Sequence, residues 1–397
     1  MEIPRRRFGR TELAMPVFSC GGMRYQHSWQ DVPEHEIPAE GQANLEATIR
    51  RAVELGINHI ETARGYGTSE VQLGRVLPTF PRDKILVQTK VSPAASPNEF
   101  LEKFEKSMRN LRLDYVDLLA LHGINNDEVL DWSIRKHGCV DAALRLKKEG
   151  RCRFVGFSTH APPRVAIAAI ETGAFDYANL HWYFVYEPLN WPMVEAATRQ
   201  DMGVFIISPN DKGGKLYEPT EKLSRLCAPL TPMQFNDLYC LSRDEVHTLS
   251  VGASRPTDFN EHIAALKFYD QRRELSTQIA ERLTDEMERV LGADWCANWW
   301  RGIPEWQHIP GEINVLEIVR LWTYAKALDM VAFGKLRYNL LGNADHWFPG
   351  KNAANIRLVD VRPALKDSAF VERIPGILAE AHSLLFDAPK KRLSESD

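Results

Sequence analysis

The strongest constraint on this chain is an alternation. From residue 15 to about residue 270, short apolar runs take turns with amphipathic stretches, eight times over. The first run, "MPVFSCGGM" (15–23), closes on a glycine pair. "NLEATIRRAVELG" then sets Leu45, Ile49, Ala52 and Val53 on one helical face, with Gly56 as a stop signal. "NHIETA", "ILVQTKV", "VDLLALHG", "FVGFST", "YANLHW", "GVFIIS" and "TLSVGA" follow as further strands. Helical patterns lie between them, such as "NEFLEKFEKSMRNL", where Phe100, Phe104 and Met108 recur every four residues. Runs that are apolar throughout suit strands covered on both faces. Strict alternation demands parallel strands joined by crossover helices. The expected fold is therefore α/β, a closed (β/α)8 TIM barrel over residues 1–270. A doubly wound open sheet is the alternative, but no GxGxxG follows the first strand.

Residues 271–397 have another texture and are expected to form a mainly helical C-terminal extension. They hold six of the ten tryptophans, and "INVLEIVRLWTYAKALDMVAFGKLRYNLLG" has the 3.6 period of one or two helices. The final "PKKRLSESD" is expected to be disordered.

Composition narrows the function. Of 397 residues, 44% are hydrophobic and 26% charged, with a formal net charge of −4, so nothing points to nucleic acid as a partner. The six cysteines show no CxxC spacing, which argues against a zinc site or a disulfide framework. The start, "MEIPRRRFGRTEL", lacks the apolar segment of a signal peptide. No run approaches the roughly 20 apolar residues of a membrane span. A cytoplasmic protein without a membrane partner is expected.

In a (β/α)8 barrel the chemistry sits at the C-terminal strand ends. Strand two ends in Glu61 and Thr62, with Tyr66 in the loop beyond. Strand three offers Lys90, strand four His122, strand five Ser158 and His160. Strand six offers Asn179, His181 and Trp182, strand seven Ser208, and strand eight Ser254 and Arg255. Lys90 stands in a run too apolar for an unpaired charge, and Glu61 on the neighbouring strand is the expected partner. A structural ion pair is the plain reading of those two alone. With Tyr66 and His122 added, the group makes chemical sense. An ammonium stabilises phenolate and makes tyrosine a usable acid, while histidine orients a carbonyl oxygen. Hydride delivery to the carbon then needs a nicotinamide cofactor, since no side chain supplies hydride.

The stretches "GRTELAMPVFSCGGM", "GINHIETARGYGTSE", "ILVQTK", "DYVDLLALHG", "RFVGFSTH", "GVFIISP" and "VGASRPTDFNEH" together resemble the aldo-keto reductase family. They cover residues 7 to about 268 in order. The resemblance implies an acid/base Tyr66, a modulating Lys90, its partner Glu61 where the family has aspartate, and an orienting His122. It implies NADP(H), with NAD(H) as the alternative, held by Gly22, Met23, Ser158, Asn179, Ser208, Gly252, Ser254, Arg255 and Glu261. "SPNDKGGKL" is similar to a phosphate loop of one branch of the family, which adds Lys212 and Gly214. Asp258 replaces an arginine of the 2′-phosphate site and Ile207 an aromatic residue, which weakens the case for NADPH. The same branch carries a ferredoxin-like C-terminal module, which implies that the tail is a degenerate form of it. A [4Fe–4S] cluster needs four thiolates and the tail holds only Cys296, so no iron–sulfur cluster is expected. Arg24, Arg64, His160, His181 and Trp182 are the candidate substrate residues. Their polarity suggests a carbonyl or polyol substrate, such as a sugar derivative. Two other readings stay open: a nucleotide-binding scaffold or sensor with weak turnover, and a metal hydrolase using His122, His160 and His181.

Overall fold

The computed structural model describes residues 2–392. The chain divides into two compact units, Met1–Pro209 with Cys240–Asp270, and Asn210–Tyr239 with Gln271–Asp397. The first unit begins with an antiparallel hairpin of β1 (Arg5–Arg7) and β2 (Ala14–Pro16). Eight strands follow: β3 (Phe18–Gly21), β4 (His59–Glu61), β5 (Leu86–Val91), β6 (Val116–His122), β7 (Cys152–Ser158), β8 (Tyr177–Leu180), β9 (Gly203–Ile206) and β10 (Thr248–Val251). Each pairs in parallel with its sequence neighbours, and β10 returns to β3, so the sheet closes into a barrel. The eight expected strands are these eight. The helices between them fall where the apolar period places them, for example Ala39–Glu54 and Pro97–Leu111. The latter buries Phe100, Phe104 and Met108 on one face.

No sequence pattern predicts the N-terminal hairpin, because three-residue strands reading "RRR" and "AMP" carry no alternation. It closes the barrel at the N-terminal strand ends. Phe8, Leu13 and Met15 pack with Leu118, Ala120, Tyr177 and Phe205. Gly203, the first residue of β9, lies directly beneath the Phe8 ring, and a Cβ there would stand 2.7 Å from it. Gly156 makes the same allowance for Tyr177, whose ring would be 2.5 Å from an added Cβ. With one end plugged by packed rings, only the C-terminal strand ends are left to build a site.

The second unit is largely helical, with Arg272–Leu291, Val315–Leu328, Val331–Tyr338 and Ile374–Leu385 as its longer helices. Two of its tryptophans form a core: Trp295 donates from Nε1 to Thr323 Oγ1 at 3.1 Å and packs 4.8 Å from Phe370 and 5.5 Å from Trp322, ring to ring. The expected boundary at residue 270 changes in one respect. Asn210–Tyr239, between β9 and β10, belongs with the tail. Lys222 explains why: its ammonium reaches Ala327 O at 2.6 Å and Glu286 at 2.6 Å. Of the terminal stretch expected to be disordered, residues 393–397 lie outside the described residues, while Lys390 N donates to Asn339 O at 2.8 Å. Among the described residues no helix is long and apolar enough to cross a membrane.

A titratable group sits inside the barrel. His59 is fully buried, with Nδ1 2.7 Å from Ser19 Oγ and its ring 5.3 Å from that of Phe205. Burial pushes its pKa down to about 3, whereas an unfolded chain titrates near 6.5. Between those values the unfolded chain binds a proton that the fold refuses. Stability therefore falls as pH drops below 6.5 and is untouched by this group above it. Moving from pH 7.5 to pH 4.5 is expected to cost about 3 kcal/mol through His59 alone. Denaturant melts of the native chain and His59→Asn at both pH values test this. The variant should lose correspondingly less stability on acidification, and an equal loss in both would refute the assignment.

Candidate active site

The strand ends bring four of the expected residues together. Glu61 ends β4, Lys90 is the penultimate residue of β5, and His122 ends β6. Tyr66 lies in the loop after β4, where Arg64 N donates to Lys90 O at 2.8 Å and ties that loop to β5. Lys90 is buried, and its ammonium forms an ion pair with Glu61 Oε1 and donates to Thr62 O at 2.8 Å. The same nitrogen lies 4.7 Å from the centroid of the Tyr66 ring. On another side the Tyr66 and His122 rings meet nearly at right angles, 83°, with centroids 5.6 Å apart. Burial pushes the half-buried Tyr66 hydroxyl well above the ordinary tyrosine range. Burial pushes Lys90 well below the ordinary lysine range, against the pull of its carboxylate partner.

Register explains a second group. His122 pairs with Ser158, and Ser158 with Asn179, so three polar residues stand in one layer on adjoining strands. Ser158 Oγ accepts from Gly123 N at 3.1 Å. Asn179 is fully buried, yet neither its Oδ1 nor its Nδ2 has a hydrogen-bond partner among the described residues. An unpaired amide in that position costs free energy, about 1–3 kcal/mol per group. Its donor and acceptor match those of a carboxamide, so the residues present fit the amide of a nicotinamide.

The remaining expected residues divide. Gly22 O accepts from Ser69 Oγ at 2.9 Å, and an added Cβ at Gly22 would fall 2.5 Å from Glu61 O; Met23 follows, half-buried. Ser208 adopts a left-handed φ of 53° after β9. At the β10 end, Gly252 lies against the Arg24 side chain, and Ser254 N donates to Asp258 Oδ2 at 2.8 Å. The exposed Arg255 donates from Nε to Asp258 Oδ1 at 3.0 Å. Glu261 lies in the helix Phe259–Ala265. Lys212 and Gly214 belong to the second unit, where burial pushes Lys212 well below its ordinary range.

Two substrate candidates have partners of their own. Arg64 is committed to carboxylates: it pairs with Asp31 and lies 3.6 Å from Glu70 Oε2. Trp182 is fully buried, its ring 4.9 Å from that of Trp191. His160 and His181 do meet, with ring centroids 4.4 Å apart, and His181 Nδ1 lies 2.5 Å from Tyr183 Oη. Among the described residues, no three His, Cys, Asp or Glu side chains converge to hold a metal ion.

Sequence reasoning missed Ser250 and Trp29. Ser250 Oγ lies 3.4 Å from Glu61 Oε2. The alternation of Thr248 and Ser250 in "TLSVGA" is a signal that could have found it. Trp29 packs edge-on against Tyr66 at 6.2 Å and 84°. An aromatic residue in the polar run "QHSWQD" is its mark.

Comparison with known proteins agrees with this geometry. Residues 19–277 match the model of the aldo/keto reductase family. The chain is 35% identical to L-galactose dehydrogenase of Arabidopsis thaliana over 291 residues, covering 65% of this chain and 87% of that protein. It is 27% identical to pyridoxine 4-dehydrogenase of Escherichia coli over 252 residues, 58% of this chain and 83% of the relative. An aldo-keto reductase from Klebsiella pneumoniae, solved in complex with NADPH, superposes with a TM-score of 0.56 at 19% identity, over 70% of this chain and 96% of that one, and shares the barrel fold. With a family match over most of its length, a closed eight-stranded barrel and a lysine–carboxylate pair beneath a tyrosine, the chain belongs to the aldo/keto reductase family.

Proposed function

We propose that the protein is an NAD(P)H-dependent oxidoreductase that interconverts an aldehyde or ketone and its alcohol. The observation that carries this reading is the placement of Tyr66 between the Lys90 ammonium and the His122 ring. A bound nicotinamide supplies hydride, which no side chain can. Asn179 and Ser158 would hold its carboxamide, Gly22 and Met23 its ribose, and Gly252, Ser254, Arg255 and Glu261 the adenosine end.

The protein's own share is the proton. Tyr66, protonated at neutral pH as any tyrosine is, donates to the carbonyl oxygen as that oxygen gains charge. The phenolate left behind is stabilised by the ammonium of Lys90. Glu61 keeps that ammonium charged in a buried site, and His122 holds the carbonyl oxygen. The name of the plant relative, together with His160 and His181 side by side, favours a hydroxylated, sugar-like substrate.

Turnover is read from the near-ultraviolet absorbance of the reduced cofactor against a panel of aldoses and simple aldehydes. Tyr66→Phe is expected to lower kcat by a factor of about 10²–10⁴, with cofactor affinity unchanged. Full activity in that variant would end the mechanism. The alkaline limb of carbonyl reduction should fall well below the 10.5 of an ordinary lysine, since Lys90 is lowered. Glu61→Gln removes the charge that favours ammonium, so the limb should move to still lower pH, and a limb that stays put would exclude Glu61 from that role.

Cofactor choice has its own test. The Asp258 carboxylate occupies Arg255, with Oδ1 at 3.0 Å from Nε. Asp258→Asn frees that guanidinium and removes a charge that repels a 2′-phosphate. The NADPH-to-NADH affinity ratio should rise about fivefold, the equivalent of one exposed ion pair, in a fluorescence titration. An unchanged ratio would remove Arg255 from the 2′-phosphate site.

A further inference from the structure

The loop of residues 24–38, between β3 and the helix Ala39–Glu54, does more than connect them. Its middle is tied through backbone amides to the Tyr66 loop and to the helix Ser69–Val76 that follows it. Thr68 N donates to Ser28 O at 3.0 Å, and Ser28 N donates to Thr68 Oγ1 at 3.1 Å. His27 N donates to Gln72 Oε1 at 2.9 Å. The approach is so close that a Cβ on Gly67 would collide with Ser28 O, and Gly67 has a φ of +52°. One residue on, the Trp29 indole meets the Tyr66 ring at 84°.

Charges fix the far side of the loop. Asp31 pairs with Arg64, two residues before Tyr66, and with Lys106 at 2.6 Å on the helix Pro97–Leu111. Glu34 takes Arg75 and Arg112, both at 2.7 Å. Exposed ion pairs are each worth little, about 0–1 kcal/mol, so the backbone bonds hold the loop and the charges set its register.

We propose that Trp29 is a positioning residue for Tyr66, and that residues 27–31 form a fixed strap holding the phenol ring in one orientation. The inference rests on the reading of Tyr66 as proton donor. Three groups then bound the ring: Lys90 over its face, His122 on one side and Trp29 on another. Lys90 and His122 come from rigid strand ends, whereas Trp29 comes from a loop, which is why that loop is so heavily tied. Arg64, in the Tyr66 loop, anchors the strap through Asp31 and also lies against Glu70.

The test separates ring position from chemistry. Tyrosine-labelled protein is examined by NMR, with Tyr66→Phe assigning the Tyr66 ring signals. In the native chain those ring positions should be inequivalent, reporting a slowly flipping ring. In Trp29→Ala they should average, and in Trp29→Phe inequivalence should return. In parallel, Trp29→Ala should lower kcat about 10- to 100-fold with cofactor affinity within twofold of native, and Trp29→Phe should restore most of it. Gly67→Ala, whose Cβ would collide with Ser28 O and the Trp29 backbone, displaces the strap and the indole together and should copy Trp29→Ala in both readouts. Ring signals unaffected by Trp29→Ala, or a kcat within twofold of native, would overturn the proposal. Full activity in Tyr66→Phe would instead defeat the mechanism and leave the ring measurement standing on its own.

Discussion

The site depends on a charge placed where charge is costly. Lys90 is buried on a barrel strand between Thr89 and Val91, both buried as well. Removing an ammonium from water costs several kcal/mol even after relaxation, and only a well-placed partner offsets it. Glu61 is that partner, with Thr62 O accepting a second ammonium hydrogen at 2.8 Å. A buried pair of this kind adds little net stability compared with packed apolar side chains, yet loss of one member is costly, about 3–5 kcal/mol. Its retention is better explained by its neighbour. The ammonium lies against the Tyr66 ring, where the proposed mechanism needs it.

A glutamate in this place needs room that an aspartate does not. The surroundings provide it. Gly21 pairs with Glu61 across the β3–β4 register, and a Cβ on it would stand 3.3 Å from Glu61 Oε2 and 2.5 Å from Ser250 Oγ. Without that Cβ the longer side chain lies beside β3, with one oxygen at Lys90 and the other 3.4 Å from Ser250. The extra methylene is thus absorbed by a glycine on one strand and a hydroxyl on another. Glycine at 21 and serine at 250 are coupled choices, since a larger residue at either displaces the other.

Much of this is legible in the sequence because barrel strands buried on both faces read as apolar runs, and a polar residue at the end of such a run stands out. Lys90, His122 and Asn179 announce themselves in that way. What stays hidden is whatever depends on contacts distant in sequence. The hairpin Arg5–Arg7 and Ala14–Pro16 owes its existence to Phe8 packing on Tyr177, not to any pattern of its own. Arg64 reads as a substrate residue because its partners, Asp31 and Glu70, are set by a loop and a helix whose placement no local period encodes. Trp182 reads the same way because its packing partner, Trp191, lies in the helix after β8, nine residues on. The segment Asn210–Tyr239 carries no mark of belonging with the tail, since ion pairs such as Lys222 with Glu286 define that membership.

The two pKa directions at the centre of the site have one physical consequence. Burial raises Tyr66 and lowers Lys90, so each group resists its charged form more than it would in water. A raised phenol alone makes a poor acid, because its conjugate base is unstable in a low-dielectric setting. A neighbouring ammonium corrects that only while it is charged, and it is charged only while Glu61 balances it. On the proposed mechanism, the acid strength of Tyr66 is therefore a property of three residues on two strands and one loop. Coulomb energy varies with distance, most steeply where the dielectric is low, so that strength follows the position of the phenol relative to Lys90. The strands fix Lys90 and Glu61 through their ladders, and the loop must fix Tyr66 by other means. On the proposed role of Tyr66, a glycine at 67 that lets Ser28 approach and an indole at 29 that abuts the ring supply those means.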